Sequence, residues 1–178
     1  KRNTMIQKRV LLFTGDGKGK STASFGMLAR ALGHDMHARV IQFVKAQDGV
    51  GEMLFFSRFD NVTWDHYGRG FLPMDPKSPM MEAHLRAARE GFEEALDALA
   101  SDEYDFVLLD EVCFALSKEL IPLEPLVEAI RNAPPKIIVL TGRNAPQGLI
   151  DLADTVTEMR MVKHGFEQGL LSQAGVEE

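Results

Sequence analysis

At 178 residues, with 45% apolar and 26% charged side chains, the chain has the length and composition of one globular domain able to bury a substantial core. A net charge of −6 with no dense lysine and arginine run excludes a general nucleic-acid binder, and no apolar run nears the roughly 18 to 20 residues of a membrane span. The polar Lys1–Lys8 segment lacks a signal-peptide core, which predicts a cytoplasmic address, and a single cysteine, Cys113, permits neither an intrachain disulfide nor a cysteine-rich zinc site.

In chain order, Val10–Phe13 is a short apolar run of the kind that fills the middle of a parallel sheet. Thr14-Gly15-Asp16-Gly17-Lys18-Gly19-Lys20-Ser21-Thr22 follows. Gly15, Gly17 and Gly19 permit the restricted dihedrals that turn successive N–H groups toward one point, and Lys20 and Ser21 open a helix aimed there. The usual P-loop places its first glycine at the position held here by Thr14, so this is a variant, shifted to Gly15 and carrying an extra cation, Lys18. A glycine-rich turn without a ligand has no need of two lysines and a hydroxyl at these spacings, and the motif predicts a nucleotide polyphosphate.

Phe25, Leu28, Ala29 and Leu32 recur at helical spacing up to Gly33, a C-cap. Ala38–Val44 reads as a second strand, left by the polar Lys45–Gly49 connection; Met53–Phe59 as a short helix; Val62–Tyr67 as a third strand. Gly68–Pro76 is rich in breakers yet carries Phe71, Leu72 and Met74, more apolar than a solvated loop favours, and is read as covering a site. Met81, Leu85, Ala88, Phe92, Ala95, Leu96 and Leu99 form one face of a helix over Met80–Ala100.

Tyr104–Leu109 is a buried strand ending in Asp110-Glu111, two carboxylates at the edge where ligands of open α/β sheets bind. Such an acid either helps hold Mg²⁺ beside the loop hydroxyl or stabilises the start of the next helix. Cys113, beside that pair in an apolar segment, is expected to be buried. Leu123–Arg131 reads as a helix stopped by Pro134-Pro135, then a strand Ile137–Leu140 followed by Thr141-Gly142-Arg143, a short helix Pro146–Ala153, a last strand Thr155–Met161, and a ligand or partner loop at Lys163–Phe166. The alternation predicts an α/β domain, P-loop NTPase-like, with a mainly parallel sheet covered by helices on both faces.

A P-loop establishes polyphosphate binding rather than a reaction, leaving an ATP-consuming enzyme and a nucleotide-dependent switch acting on a protein partner as competing readings. The variant loop, Leu109-Asp110-Glu111, Thr141-Gly142-Arg143, the segment Asp151–Met159 and Lys163-His164 together resemble the P-loop family of ATP:corrinoid adenosyltransferases, from about Val10 to Gly175. The resemblance implies transfer of the 5′-deoxyadenosyl group of ATP to Co(I) of a corrinoid with release of triphosphate, and ATP reversed relative to ordinary P-loop enzymes. It further implies the amides of Gly15, Asp16, Gly17, Lys18 and Gly19, with Lys18 and Lys20, on the triphosphate. Ser21 and Glu111 are placed on Mg²⁺, with Thr22 and Asp110 close behind. Arg143 is assigned to the polyphosphate or the corrinoid side chains, or else to closing a loop.

Phe71 matches the family's corrinoid-side aromatic, and the tryptophan expected two positions later is Pro73. A homodimer and an electron-donor protein are the implied partners. Family members commonly carry a longer segment before the loop, covering the partner's site; 14 residues precede Gly15 in this sequence.

Overall fold

The computed structural model of the chain describes residues 6–44, 50–68, 70, 73 and 78–177. Its elements are β1 (Arg9–Thr14), α1 (Lys20–Leu32), β2 (Ala38–Gln42), α2 (Gly51–Phe56), β3 (Val62–His66), α3 (Pro79–Ala100), β4 (Phe106–Asp110), α4 (Val112–Ser117), α5 (Leu123–Asn132), β5 (Ile137–Thr141), α6 (Gln147–Leu152) and β6 (Thr155–Glu158), followed by a 3-10 turn, Gly165–Gln168. The strands form one sheet in the order β3-β2-β4-β5-β1-β6, and every neighbouring pair is parallel.

Alternation along the central strands sorts the core into two layers. Val10, Leu12, Ile41, Val107, Leu109, Ile138 and Leu140 pack with residues of α3, α4, α5 and α6, among them Phe92, Cys113, Leu126, Ile130 and Leu149. Val40, Phe106, Leu108 and Val139 face the other way, against Phe25, Leu28, Ala31 and Leu32 of α1 and Phe56 of α2. Both faces are covered, so that β2 and β4 are buried at every step and β5 at all but its first, with mostly apolar side chains pointing both ways. On α1 the expected stripe is displaced at one point: Ala29 is exposed and Ala31 is buried.

Capping explains where the long helices sit. Ser78 accepts the Met80 N–H and Pro79 stands at the first helical position, so α3 begins where a proline costs no hydrogen bond. At its far end the fully buried Lys136 donates to Ala98 O at 3.0 Å and to Ser101 O. Lys8 does the same for α5, donating to Arg131 O at 2.6 Å and Ala133 O at 3.2 Å. Cations at helix C-termini satisfy orphan carbonyls and oppose the negative end of the dipole.

The sequence sets no bounds for the six-residue α4, beyond the expectation that an acid of Asp110-Glu111 opens a following helix. The final strand is shorter than expected: pairing ends at Glu158, and Met159 turns into the glycine-rich loop. Asp154, in the Asp151–Met159 segment, accepts the Val10 N–H through Oδ2 at 2.7 Å and returns its own N–H to Val10 O at 2.8 Å. That part of the segment fixes the register of β6 on β1 instead of meeting a ligand.

Candidate functional site

All six strands point their carboxyl ends to one edge, and the polar residues singled out along the chain collect there. The loop leaves β1, the acids leave β4, and Gly142-Arg143 leaves β5, next to β1 in the sheet.

The glycines of the loop serve different needs. Gly15 and Gly19 have φ of +97° and +119°, a region that penalises any side chain. Gly17 is not in that region, contrary to the expectation of three restricted dihedrals. It is needed for space: a Cβ there would lie 2.7 Å from Met159 O, to which Gly17 donates its own N–H at 2.6 Å. Met159 N–H in turn reaches Thr14 O at 2.8 Å, so the loop is fastened to the exit of β6 on both sides of Gly15.

Lys20 is buried at 8% exposure, with Nζ donating to Gly17 O at 2.7 Å. Burial pulls its pKa below the ordinary lysine value, against the opposing field of Glu111, while Arg143 adds to the depression. One carbonyl satisfies one of its three donors. Lys18 and Asp16 are exposed, and Arg143 Nη2 reaches Asp16 O at 3.5 Å. Arg143 thus lies beside the loop and stands close enough to influence Lys20.

Asp110 is fully buried, and its carboxylate is engaged. Oδ1 accepts from Ser21 Oγ at 2.9 Å and Thr141 Oγ1 at 2.7 Å; Oδ2 accepts from Gln42 Nε2 at 2.9 Å. Thr141 Oγ1 also accepts the Glu111 N–H at 2.8 Å, and Gln42 Oε1 accepts from Trp64 Nε1 at 3.0 Å. This network fixes Ser21 from below. Glu111 stands at the N-cap of α4 with φ of +59° and no side-chain cap bond to it, and it lines the cavity beside the loop.

Lys18, Gly19, Lys20, Ser21, Thr22, Glu52, Glu111, Val176 and Glu177 line a polar cavity of about 160 Å³. Of these, Glu52, Val176 and Glu177 were not anticipated. Glu52 lies in the first turn of α2, which begins two residues before the Met53 start expected from the sequence, and the other two come from the far end of the chain. Gln42, also missed, carries the signal by which Thr141 is picked out: each is a polar side chain closing a strand at the ligand edge.

The hydroxyl and carboxylate donors are hard oxygens of the kind Mg²⁺ takes. Asp110 already accepts three hydrogen bonds, and Ser21 and Glu111 face the cavity with oxygens of this kind. Among the described residues no group of three His, Cys, Asp or Glu could hold a metal alone, and Mg²⁺ usually relies on one or two carboxylates with substrate phosphates and water.

His164 Nδ1 accepts the Phe166 N–H at 3.1 Å and so caps the 3-10 turn, a structural duty. Cys113 is buried against the sheet, and burial, reinforced by Glu111, pushes its thiol up to about 12, leaving it unreactive at neutral pH. Phe71, Leu72, Met74 and the Lys45–Gly49 connection lie outside the described residues, so the expected corrinoid-side aromatic is not placed. No described helix is long and apolar enough to cross a membrane.

Comparison with known proteins gives a consistent result. The family model described as ATP:corrinoid adenosyltransferase BtuR/CobO/CobP matches residues 7–177. A corrinoid adenosyltransferase of Pseudomonas aeruginosa is 39% identical over 170 residues, covering 94% of this chain and 82% of that protein. One from Escherichia coli is 35% identical over 177 residues, covering 94% and 84%.

Proposed function

The chain belongs to the family of ATP:corrinoid adenosyltransferases, and from that premise we infer how its phosphate cradle serves the reaction. The enzyme transfers the 5′-deoxyadenosyl group of ATP to Co(I) of a corrinoid substrate. The cobalt electron pair forms the Co–C5′ bond, the C5′–O bond breaks, and its electrons leave on triphosphate. Because the reduced substrate brings its own nucleophile, the protein has to position C5′ and stabilise a departing polyanion.

The observation that carries this reading is the buried Lys20 ammonium set among the loop amides and beside the Ser21–Asp110 pair. Lys20, with Lys18 and the N–H groups of the loop other than that of Gly17, which is taken by Met159 O, holds the triphosphate at a helix N-terminus, where backbone donors and the dipole both favour anions. Ser21 and Glu111 hold Mg²⁺, which when bound neutralises charge on the polyphosphate. Asp110, Thr141 and Gln42 keep Ser21 oriented, and Arg143 beside the loop adds positive charge.

Phe71 is assigned to the corrinoid, where an apolar wedge excludes the lower axial ligand and favours the reduced metal. Phe71→Ala is expected to leave ATP affinity nearly intact while reducing the four-coordinate Co(II) signal of the bound corrinoid. A homodimer, and a protein that delivers electrons to cobalt, complete the proposed setting.

Anaerobic mixing of the protein with ATP and a chemically reduced corrinoid tests the whole. Equal amounts of adenosylated corrinoid and intact triphosphate, identified by mass, are the expected products. Phosphate or diphosphate without adenosylated corrinoid would sink the reading.

A further inference from the structure

The chain beyond β6 returns to the cradle that it leaves. Starting from Met159, bonded to Gly17 and Thr14, it passes the 3-10 turn at Gly165–Gln168 and reverses at Gly169, whose φ is +80°. A final turn then folds back on itself, with the N–H groups of Val176 and Glu177 both donating to Gln173 O at 3.0 Å. Within that turn the Gln173 N–H donates to Glu177 Oε2 at 3.1 Å, while Glu177 Oε1 lies 3.7 Å from Lys18 Nζ. The turn thus holds a carboxylate against a cation of the cradle, and Val176 and Glu177 form part of the wall of the 160 Å³ cavity.

Little holds this strap down. Phe166, Leu170 and Leu171 remain 75%, 64% and 85% exposed around a second cavity of about 730 Å³, which shares Lys18, Val176 and Glu177 with the first. A segment that buries so little apolar surface moves aside at small cost.

We propose that Glu177 competes with the triphosphate for Lys18, so that the strap carboxylate returns to the lysine as the leaving group departs and thereby speeds product release. The proposal rests on the triphosphate reading above. The cradle that stabilises the leaving polyanion also retains it, and a carboxylate tethered within reach of one of its cations supplies a replacement partner at high effective concentration. Its effect is bounded by what a half-exposed ion pair contributes, about two- to fivefold in affinity. Glu177 is a positioning residue here, acting through Lys18 without touching the reacting atoms.

The test is equilibrium and stopped-flow binding of inorganic triphosphate to the whole protein and to Glu177→Gln, Lys18→Ala and the double variant. Glutamine keeps the acceptor for the Gln173 N–H and removes only the charge. Glu177→Gln is expected to tighten triphosphate binding about two- to fivefold, mainly through slower dissociation, and to have no such effect in the Lys18→Ala background. An unchanged or weaker affinity in Glu177→Gln overturns the proposal, as does an equal tightening when Lys18 is absent, which would report a diffuse field. Failure of the unaltered protein to bind inorganic triphosphate at all would instead overturn the cradle reading.

Discussion

Two buried lysines at opposite edges of the same sheet show how environment divides one side chain between structure and chemistry. Lys136, just before β5, donates to two carbonyls at the C-terminus of α3, where the helix dipole is negative and the ammonium is a cap. Lys20, at the start of α1, donates to a single carbonyl in the loop at the positive end of a helix, where Glu111 opposes and Arg143 adds to the effect of burial. Burial lowers both pKa values. The ammonium of Lys136 is engaged by two helix-end carbonyls, with Asp102 and Asp105 nearby, whereas that of Lys20, with Glu111, Asp16 and Asp110 set against Arg143 in its field, has one carbonyl partner and donors left for an anion.

Substitution should separate the two most sharply. Lys136→Ala leaves two buried carbonyls without a charged donor and opens a cavity, at a cost of about 3 kcal/mol in unfolding free energy. Adenosyl transfer by the fraction still folded should be near normal. Lys20→Ala should do the reverse. A charge-assisted contact to phosphate contributes about 1.5 to 3 kcal/mol, so turnover should fall roughly tenfold to more than a hundredfold. The melting temperature should hold or rise, since a desolvated charge is removed. Denaturant melts beside single-turnover rates read both, and near-normal turnover in folded Lys20→Ala would remove that lysine from the mechanism.

The division was partly legible in the sequence. Lys20 was exposed by its motif, since glycines, lysines and a hydroxyl at fixed offsets after an apolar run have a mechanical reason to occur together. Lys136 carried no such signal: a lysine after Pro134-Pro135 reads as surface, and only the arrival of α3 from 36 residues earlier makes it a cap. The strands were legible because their apolar runs are short and bounded by breakers. By contrast the bounds of α4, which follows β4 without a breaker, were not, and neither was the fastening of Met159 to Gly17, a long-range backbone bond that no side-chain pattern encodes.

Smaller effects sharpen the contrast on the Lys20 side. Glu111→Gln should raise the Mg²⁺ concentration needed for half-maximal activity, on the order of tenfold, with little change in stability, because the side chain faces the cavity rather than the core. An unchanged Mg²⁺ titration would move the metal to Asp110.

The pH dependence follows from the direction of the Lys20 shift. Its folded pKa lies below 10.5, so as pH rises through that folded value the ammonium is lost while an ordinary lysine would keep its proton. Triphosphate affinity should therefore decline within a window beginning below pH 10.5 in the unaltered protein, and this component should be missing in Lys20→Ala. Folding stability should move the opposite way there, rising slightly, because the unfolded state binds more protons than the native one. Least visible is Cys113: with its thiol at about 12, a thiol reagent at pH 8 should modify it only on unfolding.

The central claim, that one buried lysine awaits a polyanion and the other does not, is tested most directly by following lysine side-chain ¹⁵N resonances while inorganic triphosphate is added, with Lys20→Ala and Lys136→Ala spectra for assignment. The Lys20 Nζ signal should shift with saturation and the Lys136 signal stay in place. A Lys20 resonance that does not move while triphosphate binds, or a Lys136 resonance that moves in its stead, would contradict the account.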